Sequence, residues 1–457
     1  MKSLKVIIVG AGEVGFNIAK RLAMENKEVV VVDRNAAALR RIVEVLDVQT
    51  VEGSGSSPQV LDSAGIGKAD VLLAVTDSDE INIIACIFAK TLAPDIIKLA
   101  RIRNDEYREY GEQMIMDILN VDMVINPDVE AVKTIEQLIS LPDAEEVNEF
   151  ADGRIKLIGL RTQENPLIGR RLMNLREAVG DTPLIVAAII REEKLIIPSG
   201  DDVIMTGDLV YFVCHERDIH NVMAHFGSTA KPVRHVLIIG GGDIGLRLAQ
   251  LLERRSGMHV KIVERDEDRC DHLAQALNKT VVLCGDGTDQ DLLLEENVKG
   301  MDVVISVTGD EENNILTSLL AKNLGALKAI TRIDKGAYFP LVRAIGIENT
   351  VSPRLSAVHT ILRFMRRGKV LSTTSIQGDQ AEALEAIVQE NSDIAGKAIK
   401  DLNLPRGSLV LSIQRGDDVV FPMGDSVIHP QDRILILSTP KHLEAVEKAL
   451  TVKLEYF

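Results

Sequence analysis

The sequence predicts an α/β fold present twice: two Rossmann-like, doubly wound parallel-sheet domains, each followed by a small α+β domain. Three observations carry this expectation. A β-like run, Val6-Ile7-Ile8-Val9, ends in Gly10-Ala11-Gly12-Glu13-Val14-Gly15, and the phrase returns as Val236-Leu237-Ile238-Ile239 before Gly240-Gly241-Gly242-Asp243-Ile244-Gly245. Each glycine set is followed by another apolar run that ends in an acid, Asp33 in the first copy and Glu264 in the second. The two sets stand 230 residues apart in a chain of 457, so one unit has been copied.

Each glycine of a strand, G-x-G-x-x-G, helix phrase has a mechanical use: a tight turn, close approach of backbone to a phosphate, and close packing of helix on strand. The helix expected from Phe16 to Met24 carries Ile18, Leu22 and Ala23 at helical spacing. Its unpaired N–H groups favour an anion at its start without any lysine. Asp33 lies 23 residues after Gly10 and Glu264 lies 24 after Gly240, where a carboxylate accepts the ribose hydroxyls. A 2′-phosphate would meet like charge there, softened by Arg34 and Arg265, so NADP is disfavoured. NAD(H), ATP and ADP all keep a free 2′-hydroxyl, and the acid does not separate them.

The copies match further along. Gly53-Ser54-Gly55-Ser56 answers Gly285-Asp286-Gly287-Thr288, and Ala69 to Thr76 answers Met301 to Thr308. Ala100-Arg101-Ile102 stands beside Thr331-Arg332-Ile333. Alternation of such runs with helical patterns implies parallel sheets wrapped by helices, with ligands at the carboxyl ends of the strands, where Thr76, Arg101, Thr308 and Arg332 fall. The two threonines read equally well as helix N-caps.

Asn126-Pro127 and Ser352-Pro353 read as an N-cap followed by proline at the first helical position. The helices they open close the nucleotide modules near Pro142 and Gly368, which sets the expected domains at 1–142, 143–228, 229–368 and 369–457. The small modules are copies too. Ile168-Gly169-Arg170 matches Ala395-Gly396-Lys397, and Pro198-Ser199-Gly200-Asp201 matches Pro422-Met423-Gly424-Asp425, among β-like runs and a final helix. They show no catalytic grouping.

At 46% hydrophobic and 26% charged, the chain has the composition of a globular protein with ample core. A net charge of −16, no tryptophan and few aromatics argue against nucleic acid and against direct binding to anionic lipid. The sequence shows neither a signal-peptide pattern nor an apolar run near the roughly 18 residues that cross a bilayer, so a cytoplasmic protein without membrane insertion is expected. Cys86, Cys214, Cys270 and Cys284 form no C-x-x-C pair and no metal spacing, and read as buried thiols. His215, His220 and His225 fall five apart, which scatters them around a helix and argues against a metal site.

Four modules in this order, with Gly10-Ala11-Gly12-Glu13-Val14-Gly15 and Ala74-Val75-Thr76, resemble the TrkA family of tandem RCK (regulator of potassium conductance) proteins. The resemblance covers essentially the whole chain, and its specificity lies in the double tandem order. It implies a cytosolic, peripheral regulatory subunit that binds NAD(H) or ATP/ADP and docks under a TrkH- or TrkG-type potassium-translocating membrane subunit as a homo-oligomer, expected as a tetramer. It places Gly10, Ala11, Gly12, Glu13, Val14, Gly15, Asp33, Val75, Thr76 and Arg101 in a first ligand site. A second site takes Gly240, Gly241, Gly242, Asp243, Ile244, Gly245, Glu264, Asp286, Val307 and Thr308. The copies differ in that Gly53-Ser54-Gly55 lacks the acid Asp286 provides, and Asp77 stands where the second copy has Gly309.

The rival is an NAD-dependent oxidoreductase, which needs an acid–base group near the nicotinamide. Residues 1–214 contain no histidine, and each nucleotide module is partnered only by a small copied unit, which lowers that reading. A nucleotide-sensing scaffold with no channel partner is the third.

Overall fold

A computed structural model describes residues 4–24, 27–104, 107, 121–180, 182–228, 231–365, 370–376, 380–405 and 407–450. The first sheet comprises β1 (Lys5–Val9), β2 (Glu28–Asp33), β3 (Gln49–Glu52), β4 (Val71–Ala74), β5 (Ile97–Arg101) and β6 (Met123–Ile125). All are parallel, in the order β3-β2-β1-β4-β5-β6. The second comprises β7 (Ala144–Phe150), β8 (Ile155–Arg161), β9 (Leu184–Arg191), β10 (Lys194–Ile196) and β11 (Leu209–His215), antiparallel in the order β10-β9-β11-β8-β7.

The third sheet repeats the first: β12 (His235–Ile239), β13 (His259–Glu264), β14 (Val281–Cys284), β15 (Val303–Ser306), β16 (Lys328–Arg332) and β17 (Asn349–Val351), parallel in the order β14-β13-β12-β15-β16-β17. The fourth repeats the second: β18 (Val370–Ile376), β19 (Ala381–Ile387), β20 (Ser408–Arg415), β21 (Asp418–Val420) and β22 (Arg433–Ser438), antiparallel in the order β18-β19-β22-β20-β21.

The parallel strands read as unbroken apolar runs because both faces are covered. Val6 to Val9, Val29 to Val32 and Val71 to Ala74 are all buried, as are Val303 to Ser306 in the second copy. In each parallel sheet the strand order reverses between the first and fourth strands, which opens a crevice at their carboxyl ends.

Like domains pair with like. One compact unit joins Met1–Glu136 to Arg234–Met365, and the other joins Gln137–Val233 to Arg366–Tyr456. In the first unit, helix Glu13–Met24 packs against helix Pro353–Met365, which follows the other parallel sheet. Thr360 Oγ1 donates to Glu130 Oε2 at 2.9 Å, and Arg255 pairs with Glu136, so the helices after both sheets tie the two domains together. In the second unit, Leu157, Ala187 and Tyr211 share one core with Ala383, Leu411 and Leu435, so one face of each antiparallel sheet is buried against the other copy. Both small domains hold the same fork: Arg191 on Asp208 at 2.9 and 2.7 Å, and Arg415 on Asp432 at 2.8 and 2.7 Å.

Two local expectations shift. The helix expected from Phe16 begins at Glu13, and its counterpart at Asp243, because an acid suits the first turn and Phe16 N–H already donates to Gly12 O. Residues 229, 368 and 369, on which the expected boundaries at 228/229 and 368/369 rest, lie outside the described residues.

Candidate functional site

In each copy the glycines divide three tasks. Gly10 (φ +117°) and Gly240 (φ +107°) take backbone conformations that L side chains rarely adopt, and a Cβ there would press on the backbone N of Thr76 or Thr308. A Cβ on Gly15 or Gly245 would collide with the carbonyl of Gly10 or Gly240, so these residues let the helix sit on the strand end. A Cβ on Gly12 or Gly242 would meet nothing within 4 Å. That open space beside a helix N-terminus is where a phosphate is favoured.

The acids hold the glycine loop. Asp33 Oδ2 accepts Ala11 N–H at 2.6 Å and Oδ1 accepts Asn35 N–H at 2.8 Å. Glu264 repeats this with Gly241 N–H at 2.7 Å and Arg265 N–H at 2.8 Å. An ionised carboxylate has about four acceptor positions, so each acid keeps capacity for ribose hydroxyls. Asp286 is different: its Oδ1 accepts both the backbone N–H and the hydroxyl of Thr288, at 2.8 and 2.7 Å. Those two bonds hold its carboxyl below the ordinary range.

Thr76 and Thr308 are not helix N-caps, because Ser78 and Asp310 fill that role by accepting the N–H of Ile81 and Asn313. The threonines are gripped instead by an asparagine. Asn82, fully buried, accepts the Thr76 N–H and hydroxyl at 2.9 and 2.7 Å through Oδ1, and donates to the carbonyls of Thr76 and Arg101 through Nδ2. Asn314 does the same for Thr308 and Arg332. The sequence signal was an Asn six residues past each Thr, visible but without an assigned role. Val75, Val307, Val14 and Ile244 are buried, so their side chains serve the core.

The second crevice is a cavity of about 590 Å³, within the range of small-molecule sites. Of the residues named for the second site, Gly240, Gly242, Asp243, Ile244, Glu264, Asp286, Val307 and Thr308 line it; Gly241 and Gly245 do not, being turned to the loop and to helix packing. Arg265, Thr288 and Arg332 are among this domain's further lining residues, and Arg103 and Asp128 enter from the first domain. No local pattern signals that last pair. Asp128 opens the helix Pro127–Ser140, capped by Asn126 Oδ1, while Asn126 Nδ2 donates to the Arg103 carbonyl. Burial pushes the Asp128 carboxyl above its ordinary range, against the pull of Arg332 and Arg103.

The first crevice gathers its expected residues at the ends of β1, β2, β4 and β5, with different electrostatics. Arg101, 6% exposed, donates to Thr76 O and to Asp77 Oδ1, both at 2.9 Å, and Arg103 reaches the same oxygen at 3.1 Å. These bonds, with a further contribution from Arg354 of the other domain, hold the Asp77 carboxyl low. Glu13 pairs with Arg41 at 3.0 Å, whereas Asp243 lies 3.4 Å from Arg269.

Among the described residues no cluster of three His, Cys, Asp or Glu side chains is placed to hold a metal ion. His215 packs edge-on against Phe421. Cys86 and Cys214 are buried thiols pushed up to about 12 by that burial. Cys284 departs from the expectation of buried thiols: it ends an edge strand and is exposed, and the fold brings its sulfur to that of buried Cys270.

Comparison with known proteins agrees with this architecture. The TrkA-N domain family matches residues 6–127 and 236–353, and the TrkA-C domain family matches 160–227 and 383–451. The chain is 38% identical to the Trk system potassium uptake protein TrkA of Halomonas elongata, over 99% of this chain and 100% of that one. It is 37% identical to the protein of that name from Vibrio alginolyticus, over 97% and 98% of the two chains. Among solved structures, the GsuK channel aligns over 98% of this chain and 79% of its own, at 18% identity and a TM-score of 0.61. The GsuK RCK domain aligns over 98% and 95% at 17% identity and a TM-score of 0.59. These two likenesses establish the RCK fold.

Proposed function

Because the chain belongs to the TrkA family, we propose that it is the nucleotide-binding regulatory subunit of a potassium-uptake system, gating a TrkH- or TrkG-type membrane partner. Its ligand is NAD(H), with ATP or ADP as the alternative adenylates, and it is bound without turnover. The protein works as a homo-oligomer, a tetramer by family resemblance, held at the inner face of the membrane through its partner. Among the described residues no helix is long and apolar enough to cross a membrane.

One observation carries the mechanism: the second cavity is lined by both domains of its unit, Arg103 and Asp128 facing the Gly242 loop. Phosphates over Gly12 or Gly242 take up helix N-terminal N–H groups, and Asp33 or Glu264 receives the ribose. At the second site Arg332 and Arg103, whose charges also act on Asp128, turn to the phosphates, so ligand strengthens the contact between domains. A nucleotide that binds one arrangement more tightly shifts the population, and the partner feels the difference.

The test is calorimetric titration of the purified protein with NAD, NADH, ATP and ADP, beside Gly12→Val and Gly242→Val variants. A Cβ at either position meets nothing within 4 Å, so each variant should fold and, with its methyls over the phosphate position, lose one binding event. Binding unchanged in both variants, or steady NADH consumption with candidate substrates, overturns the proposal.

A further inference from the structure

We propose that Cys270 and Cys284 form a reversible dithiol–disulfide site beside the second nucleotide cavity, oxidised by low-molecular-weight disulfides of the glutathione class. Cys270 lies in the first turn of helix Glu267–Ala276 and Cys284 ends β14, and their Sγ atoms are 2.6 Å apart. That is well inside the van der Waals contact of two sulfurs and about half an ångström from the roughly 2.05 Å of a disulfide bond. One thiol is accessible and the other is not: Cys284 is exposed and Cys270 buried. Burial, with Cys284 and the carboxylates of Glu264 and Asp266 nearby, pushes the Cys270 thiol up to about 12, so Cys284 is the attacking sulfur.

The exchange balances. The Cys284 thiolate attacks one sulfur of the small disulfide, forming a mixed disulfide and expelling one small thiolate, which takes up the proton Cys284 gave. Cys270 then loses its proton and attacks the Cys284 sulfur, expelling the second small thiol. Two protein S–H bonds are replaced by one S–S bond, and the oxidant is reduced to two thiols.

The site is wired to the nucleotide loop. Cys270 Sγ lies 3.2 Å from the carbonyl oxygen of Glu264, the acid that holds Gly241 N–H. Its neighbour Arg269 donates from Nε to the Gly241 carbonyl at 2.7 Å. Cys284 is followed directly by Gly285 and Asp286, both on the cavity wall. Oxidation removes the thiol donor from the Glu264 carbonyl and draws the helix that carries Arg269 toward β14. In the first copy Leu39 and Glu52 occupy the equivalent positions, so the device belongs to the second site alone.

The coupling to affinity rests on the nucleotide reading above; the disulfide itself does not. Reduced full-length protein is equilibrated in glutathione buffers of graded disulfide-to-thiol ratio, quenched with iodoacetamide, and analysed by peptide mass. The expected product is a linked Cys270–Cys284 peptide pair two hydrogens lighter than its parts, with Cys270→Ser trapping glutathione on Cys284. NAD titration of the same samples should show binding at the second site weakened by about fivefold or more on oxidation, the lower end of site-to-site coupling, and restored by reductant. The Cys270→Ser, Cys284→Ser double variant should not respond. Absence of the linked peptide at every ratio overturns the site, and a linked protein with unaltered affinity overturns the coupling. A reduced protein that binds no nucleotide refutes the nucleotide reading while the linked peptide is still read by mass.

Discussion

Arg101 donates from Nη1 to Asp77 Oδ1 at 2.9 Å, and this bond sets the first nucleotide crevice apart from the second. Gly309 stands at the position equivalent to Asp77, so Arg332 has no such neighbour and turns to Asp334, 3.0 Å away. The first crevice thus carries its own anion where the second offers open space to a ligand.

Removing that anion should favour a bound phosphate. In a Gly242→Val background that silences the second site, Asp77→Gly is expected to tighten NAD at the first site by about fivefold, a modest gain because Asp77 is 92% exposed and screened. Calorimetry reads it directly. Weaker binding in the variant would mean that Asp77 itself contacts the ligand.

The glycines should separate by task. Gly15→Ala and Gly245→Ala force a Cβ into the carbonyl of Gly10 or Gly240 and should cost about 3 kcal/mol or more, seen as a fall in melting temperature. Gly12→Ala and Gly242→Ala meet open space and should leave melting nearly unchanged. Equal losses at both kinds of position would contradict the division.

Binding at the second site should depend on pH through Asp128. Its carboxyl is raised above the ordinary carboxylate value near 4, so it takes up a proton earlier as pH falls from neutral. Loss of that negative charge leaves more of the attraction of Arg332 and Arg103 to a phosphate. NAD, whose phosphates do not titrate in this range, should therefore bind more tightly as pH is lowered from neutral toward the carboxylate range, and Asp128→Asn should bind tightly throughout. An unchanged pH slope in the variant would exclude Asp128 as the titrating group.

Asn314 should matter more than its distance from any ligand suggests. Asn314→Ala leaves the Thr308 N–H, hydroxyl and carbonyl and the Arg332 carbonyl without this partner, at a cost of about 3 kcal/mol. Thermal unfolding with parallel NAD titration tests this, and a loss below about 1 kcal/mol would show that water replaces the amide.

What the sequence determined by itself is local: the apolar runs of β1 and β12, the glycine turns and the acids at Asp33 and Glu264. Each is set by a few neighbouring residues, through side-chain periodicity and the steric needs of a turn, and the copying of the whole pattern made the two-fold α/β fold legible. Thr76 shows the limit of such reading, since the choice between ligand contact and N-cap hung on Asn82 folding back to claim it. Only the tertiary structure decided that like domains pair, that Arg103 and Asp128 reach the Gly242 loop, and that Cys270 meets Cys284. The first two depend on helices Pro127–Ser140 and Pro353–Met365 tying domains more than 200 residues apart in sequence, and the third on the way a helix lies against its sheet. Contacts of that kind arise from burying apolar surface between elements, which no spacing along the chain encodes.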